Sequence, residues 1–106
     1  MPKYLIQATY TAEGVKGLLS EGGTKRRDAA AKAIKSAGGK VEAFYFAFGK
    51  HDAIVLVDLP DNVSLVAASL AINASGAVTT TTTVLLTPGE VDEAVKKSIQ
   101  YRAPGQ

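Results

Sequence analysis

Two β-prone runs, Lys40–Phe48 and His51–Leu59, stand on either side of Gly49-Lys50. A two-residue loop with Gly first fits a type II′ turn, and such a turn fixes the register of an antiparallel hairpin. In that register Phe48 faces His51, Phe46 faces Ala53, Phe44 faces Val55 and Glu42 faces Val57. Alternation then gathers Phe44, Phe46, Phe48, Ala53, Val55 and Val57 on one side of the sheet, the side expected under the helices. The other side carries Val41, Ala43, Tyr45, Ala47, Asp52, Ile54, Leu56 and Asp58, and it too is largely apolar. An antiparallel sheet with one face in water normally shows polar residues there. This hairpin therefore predicts a sheet that needs cover on both faces.

The flanking segments place the hairpin in a larger pattern. Tyr4–Tyr10 reads as a strand. Thr11 is a helix N-cap with Glu13 in the first turn, although Gly14 and Gly17 weaken that helix and Gly22-Gly23 breaks it. Thr24 is expected to cap a stronger piece, Lys25–Ala37, stopped by Gly38-Gly39. Asp61 caps a helix over Asn62–Ser75, with Gly76 as its stop. Val78–Leu86 holds five consecutive threonines, whose branched Cβ favours a strand. Thr87-Pro88-Gly89-Glu90 is a capping box, and Val91, Ala94, Val95 and Ile99 mark the inner stripe of a last helix before a tail, Arg102–Gln106. The order is βαββαβ plus a C-terminal helix. It predicts an α+β, ferredoxin-like fold with a four-stranded antiparallel sheet, as one domain over residues 1–106.

Composition narrows the partners. A net charge of +2 on 106 residues is too small to argue for nucleic acid or an anionic membrane. With no cysteine and one histidine, neither a disulfide nor a metal site is expected, and no motif calls for a cofactor. The start, Met1-Pro2-Lys3-Tyr4, lacks the features of a signal peptide, and no apolar run approaches the roughly 20 residues that span a bilayer. A cytoplasmic protein is the expectation. An apolar patch of Ala43, Tyr45, Ile54 and Leu56 on an open face predicts a homo-oligomer, a dimer or larger. The helix over Asn62–Ser75 agrees, since its apolar residues encircle it.

The stretch GKVEAFYFAFGKHDAIVLVDLP, Gly39–Pro60, resembles the signature of the GYD-domain family, as do Tyr10-Thr11-Ala12-Glu13-Gly14 and Ala74-Ser75-Gly76. Gly49 and Asp52 match the motif that names the family, and His51 stands where it has tyrosine. The resemblance implies a ferredoxin-like subunit of the dimeric α/β-barrel kind, in which two sheets pack face to face and can leave a cavity between them. Proteins similar to this one are mostly uncharacterised, so the resemblance supplies a fold more than a function.

Candidate site residues follow from strand parity. With strand order 4-1-3-2, Gln7 and Thr9 join Tyr45 and Asp52 on the open face, and Thr79, Thr81 and Thr83 join them from the last strand. An apolar surface with a few convergent polar groups has the form of a ligand site, for which Gln7, Tyr45, Asp52 and Thr83 are the candidates. Asp52 is also a candidate general base, or a hairpin anchor accepting backbone or lysine hydrogen bonds. His51 is a second acid–base candidate, or a solvated or packed turn histidine. Glu21–Arg27 is a Gly-rich approach to a helix N-terminus, where Arg26 could hold an anion or stay solvated. Three functional readings stand: a homo-oligomeric module binding a small molecule between facing sheets, a cofactor-free enzyme of the monooxygenase or isomerase sort, and a structural assembly component.

Overall fold

The computed structural model describes residues 1–106. Its elements are β1 (Lys3–Tyr10), α1 (Ala12–Glu21), α2 (Gly23–Ser36), β2 (Lys40–Phe46), β3 (Ala53–Asp58), α3 (Asn62–Ala74), β4 (Val78–Leu85) and α4 (Pro88–Val95). The four strands form one open antiparallel sheet in the order β2-β3-β1-β4. Two parallel pairs are thus each separated by one strand. Right-handed crossovers place both connections, α1–α2 and α3, on the same face. This is the α+β, ferredoxin-like arrangement expected, and it leaves the opposite face of the sheet without helices. No helix is long and apolar enough to cross a membrane.

The core lies between that one helical layer and the sheet. Tyr4, Ile6, Val55 and Val57 rise from the central strands to meet Ile34 of α2 and Leu65 and Ala68 of α3. Burial of each large aliphatic side chain is worth about 1.5–3 kcal/mol. Tyr4 is wholly buried because its hydroxyl donates to Asn62 Oδ1 at 2.6 Å, so its polar tip costs nothing unpaired. Caps start the helices where the sequence marks them: Gly14 N–H donates to Thr11 Oγ1, Ser64 N–H to Asp61 Oδ1, and Thr87 with Glu90 closes a reciprocal capping box. Gly14 is required for packing. A Cβ there would sit 2.0 Å from the carbonyl oxygen of Ala77.

The hairpin keeps its expected register from Phe46↔Ala53 to Ala43↔Leu56 and then departs from it. A bulge between Val41 and Ala43 pairs Val41, not Glu42, with Val57. Unbroken alternation would have driven the Glu42 carboxylate under the helices. The extra residue instead turns Val41 onto the core and sends Glu42 to Lys3 Nζ at 2.7 Å.

The turn also differs. The ladder closes with Ala47 N–H donating to the Asp52 carbonyl, leaving a loop of Phe48 to His51. Phe48 takes φ 52°, stacks on Phe46 at 5.7 Å beside Leu18 and Gly23, and so stays on the helical side but exposed at its edge. Between α1 and α2 the break is the single residue Gly22 at φ 84°, which is itself the N-cap of α2, so Thr24 caps nothing.

The last departure concerns the C-terminal segment. α4 ends at Val95, short of Ile99, and its expected inner stripe is left uncovered: Val91, Val95 and Ile99 are all exposed. The radius of gyration is 16.9 Å, whereas a compact chain of this length would have about 13 Å. The excess fits a C-terminal segment, residues 86–106, in which every residue is exposed.

Candidate functional site

Pairing decides which side chains share the open face. Leu5, Gln7 and Thr9 of β1 lie beside Leu56 and Ile54 of β3 on one flank and Thr83, Thr81 and Thr79 of β4 on the other. Ala43 and Tyr45 of β2 extend the surface past β3. Tyr45 is 70% exposed, and Leu5, Ile54 and Leu56 are only half-buried. The face is an apolar band crossed by a polar strip of Gln7, Thr81 and Thr83.

The structure does not bring all the candidate residues to one point. Gln7 is flanked by Ile54 and Thr81, so Tyr45 lies two strands away, about 10 Å across the sheet. Thr83 sits opposite Leu5, one pleat along from Thr81. Asp52 and His51 occupy the hairpin end of this face. The carboxylate of Asp52 accepts the Tyr10 N–H at 2.8 Å, its backbone N–H donates to the Ala8 carbonyl, and its carbonyl accepts from Ala47. Asp52 thus ties β1 and β2 together through one residue. His51 is half-buried, with Nδ1 3.4 Å from Thr9 Oγ1.

At the opposite end of the face, Lys3 Nζ bridges Asp58 at 2.8 Å and Glu42 at 2.7 Å. The hydrogen bond from Lys3 holds the buried Asp58 carboxyl below its ordinary range, and the bonds to Asp58 and then Glu42 raise the Lys3 ammonium above its own.

Arg26 lies on the other side of the sheet. Its guanidinium is 3.4 Å from Glu21, and it lines the same cleft as Tyr10. Burial raises the Tyr10 pKa, and the Arg26 charge opposes that rise. This cleft of about 190 Å³ lies between the covered face of the sheet and α2, with α3 as its far wall. Asn73 fixes that wall to β4, donating to Thr80 Oγ1 at 2.8 Å and accepting from Thr80 N–H at 3.1 Å.

Neither Tyr10 nor this cleft is apparent from the sequence pattern. The signal available is the alanine face of α2: Ala29, Ala30 and Ala33 are too short to fill the space down to the sheet, and Ile34 is the one fully buried residue of that helix. No group of three or more acidic or histidine side chains is placed to hold a metal ion.

Among protein families, the GYD-domain model matches residues 4–95. No curated protein and no solved structure matches the chain.

Proposed function

Because the chain belongs to the GYD-domain family, and because its sheet has one face bare of helices, we propose that it is a homodimeric binding module whose open sheet faces pack against each other. The apolar band of Leu5, Tyr45, Ile54 and Leu56 carries this reading. Left in water, it forfeits about 25 cal/mol for every Å² of apolar surface that a partner sheet would cover. A second copy presents the same band, and packed sheets sit about 10 Å apart, which lets such side chains interdigitate.

Seven residues along four strands give a face of roughly 450 Å² in plan. A stable interface buries about 800 Å² of accessible surface per partner. The exposed stripe of α4, Val91 with Val95, supplies additional apolar surface that a partner could cover.

Within the dimer, Gln7, Thr81 and Thr83 would form a polar strip inside an apolar layer, giving a small molecule between the sheets its hydrogen-bonding groups. Binding is favoured over catalysis because the acid–base candidates are already engaged. Asp52 holds the Tyr10 N–H and His51 leans on Thr9.

The test is the oligomeric state of two charge variants, Ile54→Lys and Leu56→Glu, by sedimentation velocity. An unpaired charge in the apolar layer costs on the order of several kcal/mol. Both variants should therefore sediment as monomers or aggregate at concentrations where the wild type is a dimer. A wild type that is a folded monomer at micromolar concentration would sink the reading.

A further inference from the structure

The cleft on the helical side differs in chemistry from the open face: its lining is apolar but for four side chains. Its floor and walls are almost wholly apolar, contributed by β1, β3 and the alanine face of α2. Its polar side chains are Arg26, Tyr10, Ser75 at the C-terminal end of α3, and Thr80, whose hydroxyl is taken by Asn73. From Arg26 to Ile34, α2 runs about 12 Å along the cleft. We propose that this cleft binds a small carboxylic acid, with its apolar body against Ala30, Ala33 and Ile6 and its carboxylate on Arg26 and Tyr10. The inference goes beyond the dimer and does not depend on it.

Size, charge and hydrogen bonding each support this class of ligand. An aliphatic cavity of about 150 Å³ accepts benzene. A cleft of about 190 Å³ therefore takes a phenyl ring or short branched chain with a linker of one or two carbons. Arg26 has five N–H donors in a planar fork that matches a carboxylate. Its anionic partner, Glu21, is exposed and sits at 3.4 Å, a long contact that leaves donors free for a ligand. A tyrosine hydroxyl is protonated at neutral pH, so that of Tyr10 can donate to an anion. A neutral alcohol of the same shape would fill the apolar part and leave the guanidinium unmatched. A cationic ligand would be repelled.

The test is an amide NMR titration of the whole chain with 3-phenylpropionate, using 3-phenylpropanol as the neutral control. The carboxylate should saturably shift the amides of Tyr10 and residues 29–34, and should bind about ten-fold or more tightly than the alcohol, which is about 1.4 kcal/mol or more. Arg26→Gln should remove that preference while leaving alcohol binding and the oligomeric state as they were. Glu21→Gln, which frees the guanidinium, should strengthen carboxylate binding. Ala30→Leu should block both probes.

Ile54→Lys should leave carboxylate binding intact, so failure of the dimer reading remains separable from failure of this one. No saturable shift at millimolar probe would overturn the proposal. So would shifts confined to open-face residues, or an Arg26→Gln variant that still prefers the acid.

Discussion

Asp52 is the residue at which a structural and a chemical role are most sharply opposed, and its substitution separates them. Asp52→Ala removes the acceptor of the Tyr10 N–H, a 2.8 Å bond, and leaves that N–H half-buried beside the hairpin. A hydrogen bond to a charged group is worth about 1.5–3 kcal/mol when buried, and partial exposure places this one near 1–2 kcal/mol. Asp52→Asn keeps an oxygen in the same place and gives up only the charge, so its cost should be about 0.5–1 kcal/mol.

For a chain of this size, 1 kcal/mol moves the thermal midpoint by about 4 °C. Asp52→Ala should then melt about 4–8 °C below the wild type, with Asp52→Asn between the two. Protein concentration must be held equal in these scans, because association makes the midpoint concentration-dependent. Both variants should keep their oligomeric state, since the backbone bonds of Asp52 to Ala8 and Ala47 survive. An Asp52→Ala variant as stable as the wild type would refute the anchor role. A fully stable Asp52→Asn variant that has lost a bound ligand would show the carboxylate to be a site group instead.

Two further outcomes follow from the packing. Gly14→Ala places a Cβ 2.0 Å from the Ala77 carbonyl, and overpacking of this kind costs about 1–3 kcal/mol, measurable as a lower urea midpoint at unchanged slope. The Lys3–Asp58 pair gives a pH dependence with a definite sign. The Asp58 pKa is lowered in the folded chain, so its contribution is complete above the ordinary carboxylate value of 3.8 and is lost as pH falls through the lower folded value. Asp58→Asn should flatten that acid limb in pH-dependent melts, and an unchanged limb would exclude the pair as its source.

Much of the fold is legible in the sequence because local signals agree with it. The hairpin residues Ala43–Phe46 pair with Ala53–Leu56 in the register that strand alternation requires. Thr11, Asp61 and Thr87 cap the helices they precede. The bulge at Glu42 escapes a pattern reading because alternation assumes an unbroken ladder. Only the cost of burying that carboxylate argues for the break. Phe48 escapes for a related reason: an aromatic at a strand end reads as core, yet here it sits in the left-handed turn and is left exposed at the edge of the helical layer.

The candidate site was legible in part. Parity places Gln7, Tyr45 and Thr83 on the open face, but it carries no information on distance across strands, and so does not show that Tyr45 and Gln7 lie too far apart to meet one small group. The helical-side cleft is marked by absence of side-chain volume at Ala29, Ala30 and Ala33. In a sequence those residues read simply as good helix formers.

The central claim is that the bare sheet face is covered by a second copy. Hydroxyl-radical footprinting of the wild type against the Ile54→Lys variant tests it most directly. Tyr45 stands 70% exposed on the single chain, so its oxidation rate reports whether a partner sheet lies over it. With a partner sheet in place, Tyr45 and Leu56 should be oxidised several-fold more slowly in the wild type than in the variant. Exposed Leu19, on the outer side of α1, should react equally in both. Equal rates at Tyr45 in a folded wild type and a folded variant would contradict the account.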